Sequence, residues 1–133
     1  MIGGNFEDGA QGWRLGRRAP LAIDVADSGN PGEVVVRLDG PLDLTTHSQL
    51  RRAFYDDDQV AAARAVVVDL TAVPFIDSAG IGALATGRKV VGARNGSLAL
   101  VATDGPVRRL LRVTAMDQAL PVFATLDEAT APS

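Results

Sequence analysis

Residues 66–84 read Val66-Val-Val-Asp-Leu-Thr-Ala-Val-Pro-Phe-Ile-Asp-Ser-Ala-Gly-Ile-Gly-Ala-Leu84. The opening run, begun by Ala65, is nearly continuous in apolar residues and rich in Val. Such a run predicts a strand over 65–70 covered on both faces, as central strands of parallel sheets are. Thr71 to Asp77, interrupted by Pro74, reads as a connecting loop. A helix follows from about Ser78 to Arg94, and Asn95-Gly96 stops it. A buried strand that feeds a loop and then a helix is half of a βαβ unit, and that decides the class of the fold.

The flanks repeat the alternation. Upstream, Leu21 to Ala26 alternates like a strand with Leu21, Ile23 and Val25 on one face, and Glu33 to Gly40 is a second strand. The turn cluster Asp27-Ser-Gly-Asn-Pro-Gly between them predicts a hairpin. Pro41 and Asp43 mark its exit. Thr45 or Thr46 is placed to cap a helix running to about Tyr55, with Leu50, Ala53 and Phe54 on its apolar face. Asp56-Asp-Asp reads as a solvated loop. Downstream, Ser97 to Ala102 is a further buried strand. Thr103-Asp-Gly-Pro-Val opens a helix with Pro106 near its first position, and Val107, Leu110, Leu111 and Val113 form its apolar face. Pro121-Val-Phe-Ala is a last short strand, and Thr125 to Glu128 has capping-box spacing for a short final helix. The expectation is a single α/β domain over 20–130. It begins with a hairpin strand, continues as a mainly parallel sheet of four to five strands, and carries about four helices and right-handed crossovers.

Residues 1–19 have no periodicity and are rich in Gly and polar side chains. They read as a disordered arm. Trp13 and Leu15 stand there beside Arg14, Arg17 and Arg18, so the sharper reading is a short docking element for a partner.

Composition narrows the function. The chain has 133 residues, the size of one domain, and can bury roughly two thirds of its unfolded surface. Its hydrophobic fraction of 47% and charged fraction of 22% are those of a soluble globule. Thirteen basic against sixteen acidic residues give a net charge of −3, which argues against direct DNA binding by bulk charge. The absence of Cys excludes disulfides, thiolate nucleophiles and Cys-ligated metal sites. A single His excludes His-paired metal motifs within one chain. No signal-like segment or bilayer-length apolar run is present, so the expectation is a cytoplasmic protein with no membrane partner. No cofactor motif is present either.

Chemistry concentrates where the central strand delivers Asp77 and Ser78 to a helix start. Unpaired N–H groups and a partial positive charge make that end able to receive an anion or a phosphoryl group. Gly80 and Gly82 clear space beside Ser78 for another backbone or a partner. Gly82, Gly87 and Gly92 lie inside the helix, where each costs about 0.8–1 kcal/mol against Ala. They point to close packing on the sheet or to access for a ligand. The plainer alternative is an N-cap at Asp77 or Ser78 with glycines that permit tight packing. A hydrolase reading is poorly supported. Ile76-Asp-Ser-Ala-Gly lacks the first Gly of a nucleophile elbow, and His47 precedes the Ser in chain order. Gly80-Ile-Gly and Gly92-Ala-Arg-Asn-Gly lack the Lys-Ser/Thr ending of a P-loop.

The run 66–84 resembles the signature of the STAS domain, and specifically that of bacterial anti-sigma factor antagonists. Leu38-Asp-Gly-Pro-Leu-Asp-Leu-Thr, Gly105-Pro-Val-Arg-Arg-Leu-Leu and Met116-Asp…Pro-Val-Phe-Ala-Thr-Leu-Asp-Glu-Ala agree in order, so the likeness covers about residues 20–130. Pro41 stands where the family often has Glu, and Ala79 where it often has a second Ser. The resemblance implies a switch protein without catalytic activity. Ser78 would be phosphorylated by an anti-sigma factor that is also a serine kinase, which releases the antagonist, and a protein phosphatase acting on phospho-Ser78 would reset it. It also implies a docking face built from Asp43, Thr45, Thr46, Ser48, Asp77, Ser78, Ala79, Gly80, Ile81 and Gly82, with Leu42 nearby. Asp43 is alternatively a cap of the first helix. Ile81 is the apolar anchor candidate, and Phe75 is assigned to the core, the alternative being that its edge is exposed to the partner. Two other readings stay open: a STAS scaffold or sensor relay whose Ser78 is not switched, and a small serine-dependent enzyme.

Overall fold

The computed structural model describes residues 21–131. The arm expected over 1–19 lies outside the described residues. Five strands form one sheet: β1 (Ala22–Asp27), β2 (Glu33–Asp39), β3 (Ala65–Ala72), β4 (Ser97–Val101) and β5 (Val122–Phe123). They lie side by side in chain order. The β1–β2 pair is the antiparallel hairpin, with Val25 opposite Val36. The other pairs are parallel, with Val36, Val68 and Leu100 in one row. Six helices accompany the sheet among the described residues: α1 (His47–Asp56), α2 (Asp58–Ala62), α3 (Ser78–Gly92), α4 (Pro106–Val113), α5 (Met116–Ala119) and α6 (Leu126–Ala129).

The period-2 pattern of the central strands sorts their side chains to two faces. Val34, Val36, Leu38, Val66, Val68, Leu70, Leu98 and Leu100 point into one core, which α1 to α5 cover with Leu50, Phe54, Val60, Leu84, Val91, Val107, Leu111 and Met116. The opposite face carries Val35, Val67 and Val101 against Leu126 and Ala129 of α6. Both faces of β3 are therefore buried along Val66–Leu70, as its nearly continuous apolar run suggests. Asp69 is the polar exception on the second face. Its carboxylate accepts from the Thr71 N–H and hydroxyl, and Arg37 Nε stands 3.5 Å from its other oxygen. No helix among the described residues is long and apolar enough to cross a membrane.

The helix count departs from the expected four at two places. Asp56-Asp-Asp is a junction of two helices. Asp57 takes an extended conformation, ends α1 and caps α2 by accepting from Val60 N–H, and Asp58 is already helical. Ala115, with φ of 59°, breaks the downstream helix and starts α5. Smaller corrections follow. Thr71 and Ala72 extend β3 beyond the expected loop boundary. Val113 sits on the outer side of α4 and is 74% exposed, while Val107 and Leu111 carry its buried face. Asn95, with φ of 63°, takes the left-handed position that ends α3. At α6, the Thr125 hydroxyl accepts from Glu128 N–H, but Glu128 reaches back to the N–H of Ala124, one residue before the cap.

Candidate functional site

Two loops meet at the carboxyl ends of β2 and β3, and the meeting is made by backbone. Leu42 N–H donates to the Phe75 carbonyl at 3.0 Å, and Asp77 N–H donates to the Leu42 carbonyl at 3.3 Å. These bonds form an isolated parallel bridge between Leu42 and Ile76. Both side chains are buried and anchor the bridge to the core.

Asp77 locks the junction. One carboxylate oxygen accepts from the N–H groups of Ala79 and Gly80, at 2.9 and 3.1 Å, so Asp77 is the N-cap of α3. The other accepts from Leu44 N–H at 3.1 Å, across to the neighbouring loop. A short carboxylate at a helix start is the group best suited to this, since it satisfies orphan donors and meets the positive end of the helix.

Gly80 explains why the two loops can approach so closely. A Cβ at Gly80 would run into the Leu42 carbonyl oxygen and come within 2.7 Å of Ile76 Cγ1. The close approach that its spacing suggested is therefore made by this chain's own backbone. Gly87 receives the ring of Phe54, and Gly82 the guanidinium of Arg51, so these two glycines seat α3 against α1. The sheet is not their partner. Gly92 meets nothing within 4 Å and has no packing role. Arg51 also donates to His47 Nδ1 at 3.1 Å and to the Thr86 hydroxyl, which ties α1 to α3 beyond the turn that begins at Ser78. The single His is thus a helix-start residue bonded to Arg51.

Ser78 is the first residue of α3 and is exposed. Among the described residues its hydroxyl makes no hydrogen bond. Asp43 and Thr46 are turned inward, each 6% exposed. Asp43 Oδ1 accepts from the Thr45 N–H and hydroxyl, and the Thr46 hydroxyl accepts from Asp43 N–H. Asp43 holds the turn before α1 and its carbonyl receives His47 N–H, while Thr46 occupies the N-cap position without a side-chain cap bond. These two residues shape the loop from inside. Thr45 and Ser48 are exposed, and Ala79, Ile81 and Gly82 are half-buried. Ile81 packs on the core and is less prominent than its neighbouring glycines implied.

Two apolar side chains complete the rim. Phe75, assigned to the core from sequence, is 52% exposed, because the bridge that buries Ile76 turns its predecessor outward. Leu44, which sequence reasoning does not single out, is 73% exposed. Its only signal is an apolar residue between two polar ones, Asp43 and Thr45, in a segment with no strand or helix period to place it. The rim thus offers the exposed Ser78 hydroxyl beside an occupied carboxylate, with Thr45 and Ser48 also exposed and apolar groups on its flanks.

Comparison with known proteins bears on this arrangement. The STAS domain family model matches residues 24–129. The anti-sigma-F factor antagonist RsfB of Mycobacterium tuberculosis is 31% identical over 113 residues, covering 84% of this chain and 89% of that protein. The anti-sigma F factor antagonist of Paenibacillus polymyxa is 28% identical over 92 residues, covering 69% and 79%. The crystal structure of an anti-sigma factor antagonist from Mycobacterium paratuberculosis superposes with a TM-score of 0.74 at 30% identity, covering 86% of this chain and 95% of that one.

Proposed function

This chain belongs to the STAS domain family, and from that premise we propose that it is an anti-sigma factor antagonist switched by phosphorylation of Ser78. Unmodified, it binds an anti-sigma factor that carries serine kinase activity, through the rim of Leu44, Thr45, Ser48, Phe75 and Ser78. Phosphorylation of Ser78 releases it, and a phosphatase restores it. It acts in the cytoplasm and uses no cofactor.

The observation that carries this reading is the placement of Ser78. Its hydroxyl is exposed at the first position of a 15-residue helix and is free of protein hydrogen bonds among the described residues. A kinase can reach it without unfolding anything. A phosphoserine there adds about −1.5 to −2 charges. Against a like charge on a partner 4 Å away, one such charge costs up to about 4 kcal/mol at an effective dielectric near 20. That is roughly a thousandfold in affinity. The fold tolerates the group, because the helix N-terminus favours negative charge and the Asp77 carboxylate already has its backbone donors. The switch therefore acts on the interface. The relatives are named as anti-sigma factor antagonists.

The test is phosphosite mapping. The protein is incubated with ATP and the kinase-bearing partner it captures from its native cell, and the phosphate is located by mass spectrometry. Modification at Ser78, absent in Ser78→Ala, supports the proposal. Phosphate on another residue with Ser78 untouched moves the function to an unswitched STAS scaffold.

A further inference from the structure

The site does not use the groove on the outer flank of α1, about 420 Å³ in volume, between β1 and the α1–α2 junction. Its floor is Ile23 and Val25 of β1 with Ala53 of α1, and Arg52, Asp56 and Asp57 line its wall. Ile23 and Val25 pack on the main core yet remain half-buried, because β1 is the edge strand and α1 does not reach over it completely.

We propose that this groove is the docking site of the chain's own N-terminal arm, with Trp13 and Leu15 on the apolar floor and Arg14, Arg17 and Arg18 facing Asp56, Asp57 and Asp58. Three observations converge on that occupant. The first is where the arm joins. Leu21 is buried on the helix side of the sheet, and its carbonyl accepts from Gln49 Nε2 at 3.0 Å. Gln49 itself lines the groove, so the chain enters at the groove's mouth. The second is length. The eight residues from Trp13 to Pro20 span up to about 26 Å, whereas the groove runs beside α1 from Gln49 to Asp56, about 10 Å of helix. The arm therefore has chain to spare for the reversal that Gly16 and Pro20 favour. The third is charge. The arm brings three Arg within five residues, and the groove is lined by Asp56 and Asp57, with Asp58 next in the chain and Arg52 as the opposing cation. Docked there, the arm is an intramolecular strap along α1, whose first turn borders the Ser78 rim.

Trp13 is the single tryptophan of the chain, so the full-length protein reports on its own arm. Its emission and acrylamide quenching are measured in the wild type, in Ala53→Gln, which fills the floor with a good helix former, and in Asp56→Asn/Asp57→Asn/Asp58→Asn. Asparagine is as good an N-cap as aspartate, so the Asp57→Asn change preserves the start of α2. Circular dichroism and melting show that each variant is folded. The expected result is a blue-shifted, shielded Trp13 that does not depend on protein concentration. Ala53→Gln moves it to the emission of tryptophan in water. The triple Asn variant weakens docking by roughly three- to tenfold, as raised salt also does. Water-like emission in the wild type overturns the proposal. Shielding that Ala53→Gln leaves intact, or that fades on dilution, also overturns it, since the tryptophan then sits elsewhere or on a second copy.

Discussion

Gly80→Ala is a single-methyl test of how the Ser78 rim is built. The new methyl would collide with the Leu42 carbonyl oxygen and stand 2.7 Å from Ile76 Cγ1 and 3.0 Å from Leu42 Cγ. The first of these is backbone, held in place by the two bonds that bridge Leu42 to Phe75 and Asp77. Inserting a methyl into such a contact costs about 1–3 kcal/mol. Moving the loop instead surrenders bridge hydrogen bonds, each about 0.5–1.5 kcal/mol net. Replacing Gly by Ala in a helix returns about 0.8–1 kcal/mol. With the overpacking cost and one such bond lost as the loop gives way, the balance is a net loss of about 0.5–4 kcal/mol. Gly92→Ala in the same helix meets nothing within 4 Å and retains only the gain, up to about 1 kcal/mol, less because it ends the helix. Urea melts followed by circular dichroism should therefore shift in opposite directions for the two variants, with unchanged slopes. The backbone amides of Leu44 and Ser78 should move in Gly80→Ala alone. A Gly80→Ala protein within about 0.5 kcal/mol of wild type, with Leu44 unmoved, refutes the close approach of the two loops.

Asp77→Ala removes the acceptor of three N–H groups and should cost about 1–2 kcal/mol in the same melts, with Asp77→Asn costing less. Leu100→Ala empties a fully buried position on the central row of the sheet and should cost about 2–5 kcal/mol, whereas Val113→Ala, at an exposed position, should change stability by less than about 0.5 kcal/mol. The double variant Leu44→Ala/Phe75→Ala should keep its stability within about 0.5 kcal/mol and still lose partner capture, as judged by pull-down; undiminished capture would remove the two side chains from the interface.

The strands and the longest helix were legible because their patterns are local. A short Val-rich run such as 65–70 favours a buried strand by its length and β-branched residues, and the Gly-rich stretch after Asp77 keeps one helical phase toward the Asn95-Gly96 stop. The hairpin was marked by its turn residues. Legibility failed where one residue's conformation decides the outcome. The extended Asp57 splits three consecutive acids into a helix end, a cap and a helix start, and no periodicity separates that from a solvated loop. Ala115 takes a left-handed conformation without the Gly or Asn that would announce it. At the site, sequence placed Ser78 and its cap but could not orient the loops. Phe75 and Ile76 are adjacent apolar residues, and only the bridge to Leu42 determines which of the two is buried. Asp43 and Thr46 look like surface polar residues by type, yet their hydrogen bonds to each other's backbone and side chains draw them inward.

The most direct test of the phosphoswitch is the ratio of dissociation constants of Ser78→Ala and Ser78→Glu for the kinase-bearing anti-sigma factor, measured by calorimetry at fixed salt. The hydroxyl is exposed and not needed for folding, so both variants should melt like the wild type. Ser78→Ala should bind as tightly as the unmodified protein, and Ser78→Glu at least about tenfold more weakly, since a carboxylate carries less charge than phosphate but meets the same interface. Equal affinities from two folded variants would contradict the switch.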